Sequence, residues 1–244
     1  KGPGLAKALW SSEGELLASR RTVVSDPQPL RHHFEREIEE LEQRLLDLSH
    51  AVELALGQAA KALLSQNEEL AESVIVGEES INTTTYEIED YVNKLVAREQ
   101  PVATDLRFII TSLHVVIALE RMGDLAVHVA RVAQKLASES YIMPLISMNL
   151  MADRASQMVR ESVNAFLGRD EQVAQEVAAG DDLIDNTYSQ MFRELLTYMM
   201  ESPRTIAQAQ TLLFAAKQFE RVGDQATNIC EAATYVATGQ RVEL

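Results

Sequence analysis

The sequence predicts an all-α fold of two tandem three-helix bundles, from three features: few helix breakers, long apolar stripes at helical spacing, and an internal repeat. Of the six prolines in 244 residues, Pro3, Pro27 and Pro29 fall at the start, and only Pro101, Pro144 and Pro203 interrupt the rest. Each of these later prolines marks a helix start or a connection. Residues 1–30 have no sustained period, no initiating Met and no continuous apolar run of the signal-peptide kind. They are read as an appendage outside the fold.

From Phe34 the apolar positions run Phe34, Ile38, Leu41, Leu45, Leu48, Val52, Ala55 and Ala59, in steps of four and three. That heptad seam predicts a long amphipathic helix packed almost parallel to its neighbours. A second helix is predicted from Asn67 to about Arg98, burying Val74, Ile81, Ile88, Val92 and Leu95. A third starts at Pro101 and carries Leu106, Ile110, Leu113, Ile117, Val129 and Leu136. Three helices with short connections make an up-down-up bundle.

The pattern then recurs. The segment from Ser65 aligns with that from Gly168, an offset of 103 residues, matching Asn67 with Asp170 as helix N-caps, Gly77 with Gly180, Glu78 with Asp181, Ile81 with Ile184 and Asn82 with Asp185. Pro101 aligns with Pro203, and the segment from Ala118 with that from Gln218 at an offset of 100. Short differences in loop length account for the drift. The predicted bundles are residues 31–140 and 141–244, connected around Pro144.

Composition narrows the function. A net charge of −15 argues against nucleic acid, whose phosphates call for a basic surface. A hydrophobic fraction of 46% is too high for a disordered acidic chain. The most apolar stretch, residues 108–119, is too short for a bilayer and contains Thr111, Ser112 and His114. A lone cysteine, Cys230, excludes an intrachain disulfide and suits a reducing cytoplasm.

The sharpest motif is Glu-Arg-x-Gly-Asp, present as Glu120, Arg121, Gly123, Asp124 and again as Glu220, Arg221, Gly223, Asp224. On a helix, positions i and i+4 share a face, so each copy sets two carboxylates side by side. Their repulsion becomes affinity when a cation lies between them, and Fe, Mn, Mg and Ca all accept carboxylate oxygens. The preceding helices carry the same spacing as Asp181 and Asp185, and more weakly as Glu78 and Asn82. Antiparallel packing would place about four oxygen donors around one site per repeat. The glycine in the motif, about 1 kcal/mol worse than Ala in a helix, signals close approach by another group. An isolated pair of this kind is ordinarily a solvated face; the repetition is what favours metal here.

Other candidates carry less. His128 lies two turns beyond Glu120, but its counterpart is Asn228, so His114 and His128 are read as packed or solvent-facing. Cys230 shares an apolar stripe with Ala226, Ala233 and Val236, and Met151, Met158, Met191, Met199 and Met200 read as core filler. Arg121 and Arg221 balance local charge or hold an anion. No Gly-rich phosphate loop, nucleophile elbow or Glu-x-x-His pair of di-iron bundles is present, so no catalytic residue is assigned.

The two ER-x-GD copies, with the segment QPVATDLR from Gln100 to Arg107, closely resemble the PhoU family, from about Arg31 to the end. That resemblance implies paired three-helix bundles binding iron or other divalent cations. It makes Glu120, Asp124, Glu220 and Asp224 ligands, with Asp181 and Asp185 completing the second site. In the first repeat Glu78 matches while Asn82 departs from the carboxylate pattern, so the two sites differ. TDLR has no counterpart after Pro203, assigning Asp105 and Arg107 to one half only. The resemblance further implies a cytoplasmic adaptor that represses the phosphate-starvation response. Its partners would be the ATPase subunit of the phosphate ABC transporter and the phosphate-sensing histidine kinase, with attachment to the inner membrane through them. A homodimer is compatible with the heptad seams. A carboxylate-bridged metalloenzyme and a metal-free helical adaptor are the alternatives.

Overall fold

The computed structural model describes residues 27–244, with side chains from His32 onward. The chain divides into two compact units, one ending at Glu37 and the other comprising Ile38–Leu244. Helix α1 spans Pro27–Ser65, so helix already occupies the last four residues of the stretch read as appendage; residues 1–26 of it lie outside the described part. Proline is acceptable in a first helical turn, where the missing N–H has no intrahelical partner.

Within the larger unit α1 buries Leu41, Leu45, Leu48, Val52, Leu56 and Ala59 completely, so the seam passes through Leu56 and not Ala55. Gln66, at φ 53°, turns the chain, and its Nε2 donates to the Leu136 carbonyl at 2.8 Å, pinning this turn to the end of α3. Asn67 then caps α2 (Glu68–Glu99), its Oδ1 accepting from the Leu70 amide at 2.9 Å. As expected, α2 buries Val74, Ile81, Ile88, Val92 and Leu95.

Helix α3 (Ala103–Leu136) starts two residues later than Pro101. Its expected stripe holds in the second half, where Val129 and Leu136 are buried, and is displaced in the first: Leu106, Ile110 and Ile117 are exposed, while Phe108, Ile109, Val115, Val116 and Leu119 form the core. Helix α4 covers Ile146–Gly168, and Asp170 caps α5 (Glu171–Ala178) by accepting from the Gln172 and Val173 amides. Met151, Met158 and Met191 are core as read, but Met200 is 79% exposed and Met199 only half-buried.

The middle helix of the second repeat is broken where that of the first is continuous. Helix α6 (Asp181–Glu201) begins after Gly180, whereas Gly77, its aligned counterpart, sits inside α2 with open space around it. The Arg154 guanidinium occupies the position a Gly180 side chain would take, and its Nε donates to the Gly180 carbonyl at 3.4 Å. A 3-10 turn over Pro203–Thr205 leads into α7 (Ile206–Thr238). Helices α3 and α7 pack antiparallel, with Lys135 reaching Thr211 near one end and Arg107 reaching Val236 at the other. They place the repeated motifs on neighbouring helices.

Candidate metal centre

Each ER-x-GD glycine sits where a helix of the same repeat crosses closely. A Cβ built on Gly123 would lie 3.2 Å from Ile81 Cδ1, and one on Gly223 would lie 3.3 Å from Ile184 Cδ1. Ile81 and Ile184 are the aligned pair, so the repeat is obeyed in three dimensions. These contacts bring α2 against Glu120 and Asp124, and α6 against Glu220 and Asp224.

In the second repeat the Asp181 carboxylate fills the hollow above Gly223, where a Cβ would stand 2.0 Å from its Oδ1. That oxygen is buried without a hydrogen-bond partner, as is Glu220 Oε2. Burial pushes the Asp181 pKa up to about 6, and the carboxylates of Asp185, Asp224, Glu220 and Asp182 add to the shift. Asp185, Glu220 and Asp224 thus lie near enough to Asp181 for their charges to act on it; Asp181 and Glu220 are half-buried, Asp185 and Asp224 exposed. In the first repeat burial again raises the Glu120 pKa; Asp124 adds to it, Arg121 opposes, and Glu89 and Glu78 contribute. Asn82 Oδ1 is a buried oxygen without a partner. Among the described residues no three His, Cys, Asp or Glu side chains converge as they stand, so enclosing an ion requires these side chains to turn inward.

Two members were not found by reading the repeat. Glu89 approaches Glu120 from α2, seven residues beyond Asn82, a spacing that helical geometry brings back to the same face. Lys217 donates from Nζ to Glu220 Oε1 and lies 5.5 Å from the Tyr188 ring centroid. Its aligned counterpart is Ile117. Among the described residues the second-repeat carboxylates thus have a hydrogen-bonded ammonium beside them, where the first repeat has the apolar Ile117.

The shifted carboxyls make stability depend on pH. Unfolded, Asp181 titrates near its ordinary 3.8; folded, it holds its proton up to about 6. The folded state binds the extra proton across that window, so its contribution to stability is present below about pH 4 and is lost as pH climbs toward 6. Chelator-treated protein should melt higher at pH 5 than at pH 7, and the Asp181→Asn variant should narrow the gap. Identical pH profiles for the two proteins would contradict this assignment.

The remaining candidates have structural places. Arg107 Nη1 donates to the Val236 carbonyl at 3.5 Å, a cation at the C-terminus of α7, while Asp105 is exposed in the first turn of α3. Arg121 and Arg221 are exposed on the outer side of the motif helices. Cys230 is buried among Ala226, Ala233 and Val236, and burial pushes its thiol up to about 12, which leaves it inert. His114 is exposed, and His128 packs 6.1 Å from the Phe214 ring.

Comparison with known proteins returns one family throughout. The model of the PhoU domain matches residues 45–133 and 148–233, two copies whose starts stand 103 residues apart, the offset of the internal repeat. The phosphate-specific transport system accessory protein PhoU homolog of Aquifex aeolicus is 39% identical over 85% of this chain and 94% of its own length. The accessory protein PhoU of Escherichia coli is 33% identical over 85% of this chain and 86% of its own. Among solved structures, PhoU from Pseudomonas aeruginosa superposes with a TM-score of 0.81 at 36% identity, covering 85% of this chain and 100% of that one. The phosphate transport system regulatory protein PhoU from Streptococcus pneumoniae gives 0.80 at 30%, with 86% and 100% covered.

Proposed function

The chain belongs to the PhoU family, and from that membership we propose that it is a metal-binding accessory regulator of a phosphate-specific transport system. The observation that carries the metal half of this reading is the pair of buried oxygens without partners, Asp181 Oδ1 and Glu220 Oε2, on adjacent helices in a carboxylate cluster. Buried polar atoms are ordinarily satisfied, and leaving one unpaired costs about 1–3 kcal/mol. A cation supplies what both lack. Asp181, Asp185, Glu220 and Asp224 would hold it in the second repeat, and Glu120, Asp124 and Glu78, with Asn82 Oδ1 and Glu89, in the first. An all-oxygen donor set suits Fe, Mn, Mg or Ca.

The regulatory half rests on the relatives, which are named accessory and regulatory proteins of phosphate transport. The reading extends to repression of phosphate uptake and of the starvation response. It places the protein in the cytoplasm, held at the inner membrane by the transporter's ATPase subunit and the phosphate-sensing histidine kinase, and able to form a homodimer. No helix among the described residues is long and apolar enough to cross a membrane. Exposed Leu106, Ile110 and Ile117 on α3 offer apolar area of the kind protein partners cover.

Elemental analysis of purified protein beside the variant Glu120→Gln, Asp124→Asn, Glu220→Gln, Asp224→Asn tests the metal sites. Stoichiometric metal is expected in the parent and little in the variant, with helicity unchanged by circular dichroism. Equal trace metal in both would remove metal from the reading. Co-purification with the transporter ATPase subunit tests the partner, and its absence at both high and low phosphate would remove that.

A further inference from the structure

We propose that the groove between the C-terminal half of α3 and the start of α7 binds a phosphomonoester, through His128, Arg131 and Lys135. These residues recur at three- and four-residue steps on one face of α3 and line an open cavity of about 550 Å³. Val132, Gln210, Thr211 and Phe214 complete most of its wall, and no carboxylate lines it, in a chain whose net charge is −15. A concavity lined by cations and by no carboxylate, on so acidic a protein, marks a place where an anion is favoured over its surroundings.

The donors are available. Among the described residues Arg131 has no ion-pair partner, and it presents a planar fork of N–H donors suited to phosphoryl oxygens. Lys135 donates at 3.2 Å to the Thr211 hydroxyl, which holds the ammonium at the cavity wall. His128 lines the cavity beside them, with its Nδ1 buried on the protein side of the ring. The cavity also adjoins the first turn of α7, which has no acidic residue or side-chain cap of its own, although the Glu139 carboxylate accepts from Gln208 Nε2 there at 2.9 Å.

Internal symmetry supplies the control. The aligned position at the other end of the α3–α7 pair is also a cavity, of about 520 Å³. There the counterparts of His128, Arg131 and Lys135 are Asn228, Glu231 and Tyr235. Arg241 from the chain's C-terminal segment lies 4.8 Å over the Tyr235 ring. The same backbone geometry therefore carries a basic lining at one end and a mixed lining at the other, so the basic set is a property of these residues and not a requirement of the fold.

The cavity is far larger than one phosphate group, and the half-exposed Phe214 offers apolar area beside the cations. That combination suits a phosphorylated small organic molecule: dianionic head on Arg131 and Lys135, carbon skeleton on Phe214. None of Glu120, Asp124, Glu220 or Asp224 lines this cavity, so the proposal stands whether or not the carboxylates hold metal.

Isothermal titration calorimetry on the full chain tests it, in low-salt buffer with chelator so that metal-bridged phosphate at the carboxylates does not contribute. Glycerol 3-phosphate, adenosine monophosphate, inorganic phosphate and sulfate are titrated in turn. An ester is expected to bind, and the Arg131→Gln, Lys135→Gln double variant to bind at least tenfold more weakly with an unchanged melting temperature. His128→Asn, which installs the counterpart residue, is expected to weaken it as well, and Glu231→Gln in the other cavity to leave it unaltered. Equal affinity for inorganic phosphate and the esters keeps the anion site and assigns it to free phosphate. No heat with any phosphoryl ligand at millimolar concentration, or the same affinity in parent and double variant, would overturn the proposal.

Discussion

Replacing Phe108 by alanine should cost about 3–5 kcal/mol, the largest single-site loss expected in this fold. Phe108 is completely buried at the start of α3, its ring stacked on Phe166 of α4 with centroids 5.2 Å apart and planes 18° from parallel. The Arg169 guanidinium lies over the Phe108 ring, 4.6 Å from its centroid. Truncation removes the transfer free energy of the ring and leaves a void that long helices fill poorly, and it takes away the aromatic pairing, itself about 0.5–1.5 kcal/mol. Phe108 belongs to the first repeat and Phe166 to the second, so the pair joins the two. Because Ile38–Leu244 form one compact unit, the loss should appear as one cooperative transition displaced downward by roughly 10 °C. Differential scanning calorimetry reads this directly. Two transitions of which only one moves, or a loss under about 1 kcal/mol, would show that the repeats unfold independently or that the joint is plastic.

The helices, their caps and their repetition were legible because local rules decide them. Asn67 and Asp170 cap where an acceptor side chain precedes an apolar period, and spacing finds the α1 seam to within one position, Leu56 for Ala55. The break at Gly180 was not legible. Gly77 and Gly180 align, yet only the second meets a guanidinium, from Arg154 twenty-six positions away. No periodicity encodes such a contact. The buried face in the first half of α3 was not legible for a different reason: Leu106, Ile110 and Ile117 form as good a stripe as Phe108, Val115 and Leu119, and a helix apolar on two faces gives spacing nothing to choose between, whereas Val129 and Leu136 are buried as expected. At the site, symmetry revealed the glutamates and aspartates and concealed their neighbours. Lys217 aligns with Ile117 and Glu89 with Phe192, so a search for what the repeats share passes over both.

That asymmetry carries the second large effect. Lys217 lies in a cluster of acids. Burial pulls its pKa down, but the hydrogen bond to Glu220 and the charges of Glu220 and Asp224 outweigh it and hold the ammonium above its ordinary value. It is the cluster's resident counter-charge. Removing it as Lys217→Met takes the partner from Glu220 Oε1, beside an Oε2 that already lacks one; with the ammonium 44% exposed, solvent limits the expected cost to about 1 kcal/mol in metal-free protein. The same substitution removes a tethered cation that competes for the oxygens an incoming ion would use. Manganese should therefore bind the variant's second site at least tenfold more tightly and restore the lost stability, since a ligand that binds only the folded state raises its melting temperature. The first repeat, with Ile117 at this position, has no such competitor, and Ile117→Met should change neither property. Thermal melts and manganese titrations of the three proteins decide it. A Lys217→Met protein as stable as the parent without metal, or one that binds manganese no more tightly, would mean that the ammonium is a surface charge that the cluster does not need.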